Sequence, residues 1–147
     1  MKKYIISAIV LVAALVSCTK TPEGAGNATI GFQQGDYEYR ESTKSPQIPV
    51  VVTGEPKHYP ISFTVEAEVV KGNVEVEDVM RFNSLTMEPL MTFYYVGDED
   101  APAFVEFTLV DDKANHGTVQ VRLTIVSADG AEITENDSVL VTINDND

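Results

Sequence analysis

The chain has 147 residues, of which 10 are lysine or arginine and 23 are aspartate or glutamate, so its formal net charge at neutral pH is −13. This balance argues against nucleic-acid binding, because phosphate groups need lysine and arginine partners. It suits a soluble domain that meets cations, and the length allows a single domain of ordinary size.

The first residues have the three zones of a secretory signal peptide. Lys2 and Lys3 form a basic start, residues 4–16 are almost entirely apolar, and small side chains precede Cys18. Such a segment directs export and is removed by cleavage. The apolar run is shorter than the roughly 20 residues that a transmembrane helix needs. We therefore predict a cleaved leader at residues 1–17.

The segment Leu15-Val16-Ser17-Cys18 resembles the bacterial lipobox, in which the cysteine is diacylated and becomes the new N-terminus. Cys18 is the only cysteine in the chain, and a lone thiol is unusual in an exported protein, where disulfides are permitted. Two or more acyl chains on Cys18, palmitate among them, would give a stable membrane anchor. The alternative is an ordinary signal peptide followed by a chance cysteine.

The lipid predicts where the protein is located and how the chain is divided. We expect a lipoprotein bound to the membrane in the bacterial cell envelope, at the outer membrane or the cell surface. Loss of residues 1–17 removes two lysines and no acid, so the net charge would change from −13 to −15. Residues 18–27 are predicted to form the lipidated cysteine and a flexible spacer, because they are small and polar. Residues 28–147 then form one domain.

The predicted domain has the pattern of an all-β protein. Short runs rich in Val, Ile, Thr, Phe and Tyr alternate with clusters of Gly, Pro, Asn and Asp, and no window has a helical period with caps. In residues 63–69 and 119–125 the odd positions are apolar and the even ones polar, so one face of each strand should lie on a core. Strands at this spacing indicate a β-sandwich. Nine strands are predicted, at 28–33, 37–41, 47–53, 61–70, 80–85, 91–96, 104–110, 118–126 and 138–144.

Three stretches of the domain resemble parts of a Calx-beta domain, an immunoglobulin-like sandwich named for sodium–calcium exchangers and found in extracellular and adhesion proteins. The closing strand with its acidic tail, residues 139–147, is the most specific of the three. The others are Gly31-Phe32 with residues 37–41 and 48–52, and Thr92-Phe93 with Gly97 and residues 104–112. The resemblance spans roughly residues 28–147 and implies an immunoglobulin-like antiparallel β-sandwich of about seven to nine strands.

The resemblance also implies a metal site. In calcium-binding members, acidic side chains gather at one end of the sandwich, and calcium takes six to eight oxygen ligands. Clustered carboxylates repel one another, so without a cation some of them would take up protons. Carried over by position, the candidate calcium ligands are Glu41, Asp78, Asp111, Asp112, Asp145 and Asp147.

A second interpretation of these acids stays open. Aspartate and asparagine also form turns through their side-chain oxygens. Calcium-binding relatives carry further acids after the paired aspartates, whereas here residues 113–117 contain no carboxylate and begin with Lys113. The alignment at Asp78 is loose. The candidate ligands are therefore either calcium ligands or turn formers.

The sequence offers no catalytic constellation, and we expect a protein that is not an enzyme. His58 and His116 are the only histidines, a zinc site would need more His or Cys ligands, and Gly-x-Ser-x-Gly is absent. We predict a non-catalytic binding or adhesion-type module with a protein or glycan partner and no nucleic acid. The alternative is an accessory subunit that binds a substrate or glycan for an envelope complex. Residues 141–143 would offer an edge to a partner strand if they lie at the border of a sheet.

Overall fold

A computed structural model describes residues 25–147 except 84, 99 and 101. The predicted signal peptide, the predicted lipidation site Cys18 and most of the spacer lie outside the described residues. Residues 25–27 of the spacer carry no strand or helix. None of the helices in the described part of the chain is long and apolar enough to cross a membrane.

About half of the described residues lie in β-strands, and the one helix is a single turn, α1 (Val76–Val79). The strands, in chain order, are β1 (Thr29–Phe32), β2 (Tyr37–Arg40), β3 (Gln47–Thr53), β4 (Ile61–Lys71), β5 (Met80–Arg81), β6 (Leu90–Tyr95), β7 (Phe104–Glu106), β8 (Thr108–Leu109), β9 (Thr118–Asp129), β10 (Glu132–Ile133) and β11 (Ser138–Asn144).

The strands form two main sheets and one small one. A four-stranded sheet has the order β10-β1-β3-β7, a five-stranded sheet has the order β2-β11-β9-β4-β6, and β5 pairs with β8. Neighbouring strands are antiparallel, except that β1 pairs in parallel with β10 and β2 pairs in parallel with β11. The parallel pair of β2 and β11 brings the ends of both strands to the same pole of the molecule.

The core lies between the two main sheets and is built by alternation. In β4 and β9, every second side chain from Ile61 to Ala67 and from Val119 to Ile125 is buried. The facing sheet contributes the buried side chains of β1, β3 and β7 to the same apolar cluster. The strict alternation predicted for these two segments is confirmed, and so is the all-β sandwich.

The strand count is higher than predicted, for local reasons. The run at 104–110 keeps its alternating burial, but its hydrogen-bonding partner changes at Phe107, from β3 before it to β5 after it. The prediction of a strand through residue 85 is wrong, because the side-chain oxygen of Asn83 accepts from the backbone N–H of Leu85 at 2.9 Å and turns the chain. The two-residue strand β10 has no pattern that could have predicted it.

The last strand, β11, is not at the border of its sheet and offers no free edge to a partner strand. Strand β11 lies between β2 and β9, so residues 141–143 are paired on both sides. The two border strands of this sheet are β2 and β6, and β6 pairs with β4.

The two poles of the sandwich hold different parts of the chain. The end of β11 pairs with the start of β9, where Asn144 lies opposite Thr118. The other end of β9, at Asp129, lies beside Gly26 and Asn27, where the described chain begins. Since a strand rises about 3.3 Å per residue, the ends of β9 are roughly 35 Å apart. The described chain therefore begins at the pole opposite the acidic C-terminal residues.

Candidate metal centre

Parallel pairing of β2 with β11 places Glu41 beside Asp145. The backbone N–H of Glu41 donates to the carbonyl of Asn144 at 3.0 Å, which extends the ladder by one residue beyond Arg40. Each acid is thus the first residue after its strand. The side chain of Glu41 turns inward and is only 4% exposed, which makes Glu41 the one buried charged residue in the described part of the chain.

Three carboxylates converge at this pole. Glu41, Asp145 and Asp147 each offer one oxygen, and these oxygens all lie within 4.8 Å of one another. We call these three residues the acidic cluster. Two oxygens that bind the same calcium ion at about 2.4 Å are separated by at most about 4.8 Å. The spacing of the acidic cluster is therefore compatible with one shared calcium ion.

Backbone donors hold the carboxylate of Asp145 in place. One of its oxygens accepts from the backbone N–H of Asp147 at 2.8 Å, and the other accepts from the backbone N–H of His116. The hydrogen bonds from the backbone of Asp147 and His116 lower the pKa of Asp145, because they stabilise its charged form. Asp145 is thus a carboxylate that stays ionised and keeps one orientation.

The carboxyl group of Glu41 is in the opposite situation. Its burial raises its pKa, and the negative charges of Asp145, Asp147 and Asp111 raise it further, while a hydrogen bond from the backbone of Asn146 lowers it. The oxygen Oε1 of Glu41 is buried and has no hydrogen-bond partner. Such an oxygen is costly for the folded protein unless a proton or a cation compensates it. The chemistry of the site therefore fits a bound cation.

The other predicted ligands are placed differently. Asp111 is close enough for its charge to raise the pKa of Glu41, but it is not one of the three residues whose oxygens lie together. Asp112 accepts from the backbone N–H of Ala114 at 2.8 Å and lies 3.5 Å from Nε2 of His116. Its observed contacts are those of a turn former.

Asp78 has a structural role at the start of α1. Its carboxylate accepts from the backbone N–H of Glu75 at 3.0 Å, and the carboxylate of Glu75 accepts from the backbone N–H of Asp78. This reciprocal pair is a capping box. Because the helix has a single turn, no periodic pattern could reveal it, although the spacing of Glu75 and Asp78 is that of a capping box.

Residues 113–117, which lack a carboxylate, still contribute to the centre. The backbone N–H of His116 donates to the carboxylate of Asp145, and that of Gly117 donates to the side-chain oxygen of Asn115 at 3.0 Å. The side-chain amide of Asn115 in turn donates to the carbonyl of Asp147 at 2.8 Å. Sequence reasoning missed this role because it considered side-chain ligands only; a turn ending in glycine before β9 was the available signal. The described residues contain two close pairs of basic and acidic side chains, Arg122 with Glu68 at 3.9 Å and His116 with Asp112. Lys113 takes part in neither.

Comparison with known proteins shows what this architecture is similar to. No family model and no curated protein matches the sequence. Among solved structures, the apo-form CBD1 domain of Calx is 14% identical, with a TM-score of 0.62, over 82% of this chain and 99% of that one. The CBD2 domain of Calx is 9% identical, with a TM-score of 0.58, over 86% of this chain and 91% of that one.

A third structure, CBD12 of CALX1.1, is named a calcium binding domain. It is 14% identical, with a TM-score of 0.57, over 79% of this chain, and the match spans 44% of that longer chain. At such low identity the likeness shows the fold alone. The predicted fold is confirmed, and the chain has the β-sandwich fold of the Calx-beta domains.

Proposed function

We propose that this protein is a non-catalytic, lipid-anchored module of the bacterial cell envelope that binds calcium through the acidic cluster. The observation that carries the proposal is the carboxylate of Glu41, which is 4% exposed. Its Oε1 has no hydrogen-bond partner, and it lies with the carboxylates of Asp145 and Asp147. A cation between these groups would supply the counter-charge that the described protein atoms do not supply.

The donor atoms favour calcium over other metals. The acidic cluster offers carboxylate oxygens only, and oxygen ligands suit hard cations, whereas zinc favours imidazole and thiolate ligands. Magnesium demands a near-ideal octahedron, while calcium accepts irregular arrangements of six to eight oxygens. The ligands of the acidic cluster lie on the chain segments that follow β2 and β11. An irregular arrangement of this kind suits calcium better than magnesium. Waters and the nearby carboxylate of Asp111 would complete the coordination.

The comparison supports the proposal at the level of the fold. A structure that is named a calcium binding domain has the same architecture. The sequence identity of 14% is too low to transfer ligands residue by residue. The acidic cluster is therefore assigned from the geometry of this chain.

The anchor and the acidic cluster would lie at opposite poles. Residues 26 and 27, at the end of the predicted spacer, lie beside the last residue of β9. The acidic cluster lies near the first residue of β9, at the opposite pole. In a protein anchored through Cys18, the calcium pole would then point away from the membrane. This arrangement suits a module that presents an ion-stabilised surface to a partner in the envelope.

Calcium titration followed by thermal unfolding tests the proposal. A ligand that binds only the folded state at 100 times its Kd stabilises it by about 2.7 kcal/mol, which raises Tm by roughly 10 °C for a domain of this size. The variant Asp145→Asn should lose this shift. The matched control is Asp36→Asn, an exposed acid at the other end of β2. An unchanged Tm of the unsubstituted protein at millimolar calcium would overturn the proposal.

A further inference from the structure

Strand β6 is an unprotected border of the five-stranded sheet. In the part of the chain that the structure describes, β6 pairs with β4 and with nothing on its other side. It has six residues, Leu-Met-Thr-Phe-Tyr-Tyr, without a charge or a proline, and its register with β4 has no bulge. Proteins usually protect such edges with charges, prolines, bulges or short length.

The other borders carry the usual protection. Strand β2 has four residues and includes Glu38 and Arg40. Strand β10 has two residues, and β7 has three and includes Glu106. Among the described border strands of the two main sheets, β6 is therefore the longest and the only one without a charged residue.

The hydrogen bonding to β4 shows which backbone groups of β6 point outward. The N–H of Ala67 donates to the carbonyl of Pro89 at 2.8 Å, which makes these two residues a hydrogen-bonded pair. Such pairs alternate with non-hydrogen-bonded ones in an antiparallel ladder. Leu90, Thr92 and Tyr94 therefore direct their backbone N–H and C=O groups to the free edge, where a further strand could bind them.

A groove runs along the same edge. One cleft of about 620 Å³ lies between the borders β6 and β7, and its wall includes Phe82, Phe93, Tyr95 and Phe107. A second cleft of about 330 Å³ shares Phe82 and continues along β6 as far as Leu90. We call the two clefts together the β6 groove. Side chains that point inward from an added strand would enter it and contact its aromatic wall.

Charge indicates which kind of strand fits. Glu106 lines the first cleft and Glu88 lines the second, and both side chains are exposed. None of the described residues that line the β6 groove is Lys, Arg or His. Next to the edge, Tyr94 is 68% exposed and would cover apolar or cationic side chains of a ligand. Because successive side chains of a strand point to opposite faces, the complementary ligand has apolar side chains that enter the groove and, between them, cationic side chains on the exposed face beside Tyr94.

We propose that the β6 edge binds an extended segment of a partner protein by strand addition, with apolar side chains in the β6 groove and lysine or arginine between them. Backbone hydrogen bonds to Leu90, Thr92 and Tyr94 would give affinity, and the clefts would select the side chains. The β6 groove shares no residue with the acidic cluster. The proposal therefore holds independently of calcium binding.

The test measures, by fluorescence anisotropy, how a labelled synthetic peptide binds to the purified protein. In the peptide, lysine alternates with valine and phenylalanine. We expect saturable binding that weakens with added salt. Thr92→Pro removes the central donor of the free edge and should raise Kd by about tenfold, at a position where proline is tolerated because the N–H faces outward. Thr92→Val is the matched control. It also loses the hydroxyl contact with Thr64 at 2.8 Å, but it keeps the backbone N–H.

Several outcomes would overturn the proposal. Equal Kd values for Thr92→Pro and Thr92→Val would contradict strand addition, and equal binding of a peptide with glutamate in place of lysine would contradict a cationic ligand. If Thr92→Pro does not fold, peptides with N-methyl groups on alternate backbone amides provide the same test on the unchanged protein, and unimpaired binding of both methylated forms contradicts it. A dimer in sedimentation velocity, without peptide binding, would assign the edge to a second copy of this chain.

Discussion

The backbone N–H of Glu41 donates to the carbonyl of Asn144 at 3.0 Å, and this hydrogen bond holds the residue that follows β2 beside the end of β11. It continues the parallel pairing of β2 with β11. The next residue in the chain after Asn144 is Asp145, so its carboxylate comes to lie beside that of Glu41. Two acids far apart in the sequence are thus juxtaposed by the register of two strands.

Glu41→Gln should separate the cost of the buried charge from the benefit of calcium. In the absence of calcium the variant should be more stable than the unsubstituted protein, by on the order of 1 kcal/mol, because it removes a buried negative charge whose oxygen Oε1 lacks a hydrogen-bond partner. With calcium it should show little further gain. Urea unfolding in chelator and in millimolar calcium measures both effects. A variant that is less stable in chelator yet keeps its calcium response would contradict this view of Glu41.

The pH dependence of stability without calcium should show the opposite shifts of two groups. The pKa of Glu41 is raised above its ordinary value of 4.5, so its contribution to stability is full below that value and is lost as the pH rises through the raised pKa. The pKa of Asp145 is lowered from 3.8, so its contribution is full above that value and is lost as the pH falls through the lowered pKa.

Above pH 4.5, only Glu41 of these two groups should affect how the free energy of unfolding changes with pH. The free energy of unfolding without calcium should fall with rising pH in the unsubstituted protein, relative to Glu41→Gln. Calcium should reverse the trend, because the metal binds the deprotonated carboxylates. Urea unfolding across this range, with and without chelator, measures the slopes. Parallel curves for the protein and for Glu41→Gln in chelator would refute this assignment.

Neighbouring aspartates should differ in their effect on calcium affinity. The charge of Asp111 acts on Glu41, so Asp111→Asn should weaken calcium binding by roughly 1 kcal/mol, or about fivefold in Kd. Asp112 is engaged with Ala114 and lies 3.5 Å from His116, and Asp112→Asn should change Kd by no more than about twofold. Isothermal titration calorimetry of both variants measures the difference. A larger loss in Asp112→Asn would reverse the assignment.

The fold could be predicted from the sequence because its signal is periodic. Alternation in residues 63–69 and 119–125 predicts buried and exposed faces without knowledge of the partner strands. The break at Phe107 could not be predicted, since side-chain alternation continues through it while only the hydrogen-bonding partner changes. Single-turn and two-residue elements such as α1 and β10 are too short to have a period at all.

The candidate site was only partly predictable, for a different reason. The resemblance to Calx-beta domains made Glu41, Asp145 and Asp147 candidates by position, together with Asp78, Asp111 and Asp112. Which acids meet depends on the pairing of β2 with β11, and side-chain alternation fixes the buried face of each strand without identifying its partner strand. Asp78 has the same charge as these residues, but its carboxylate caps α1. The backbone donor of His116 has no signal of its own in the side chain, and only the glycine that ends the turn before β9 points to this segment.

Asp78→Ala should separate a capping acid from a metal ligand. Removal of the carboxylate breaks its hydrogen bond to the backbone of Glu75 at 3.0 Å and should cost about 0.5–1 kcal/mol of stability. The rise in Tm on calcium addition should stay the same as in the unsubstituted protein. Glu75→Ala is the matched control, since it breaks the other half of the capping box. A loss of calcium response in Asp78→Ala alone would return this residue to the ligand set.

The lipid anchor is tested at Cys18 itself. If Cys18 is the acylated residue of a lipobox, as we propose, Cys18→Ser should abolish both the attachment of lipid to the thiol and the removal of residues 1–17. In cells grown with an alkyne-labelled fatty acid, the unsubstituted protein should carry the label and sediment with membranes. The variant should be unlabelled and larger by the mass of the leader. Ser17→Ala is the matched control, because it keeps a small side chain before the cut and should be processed normally.

Each outcome at Cys18 distinguishes one feature of the anchor. A Cys18→Ser protein that is cleaved normally and released would indicate an ordinary signal peptide, and it would remove the lipid from the proposal while leaving the calcium site untouched. Label that persists in Cys18→Ser would contradict acylation at this residue. Since residues 26 and 27 lie at the pole opposite the acidic cluster, a protein anchored through Cys18 should be protected from added protease at this pole, and its acidic cluster should be accessible.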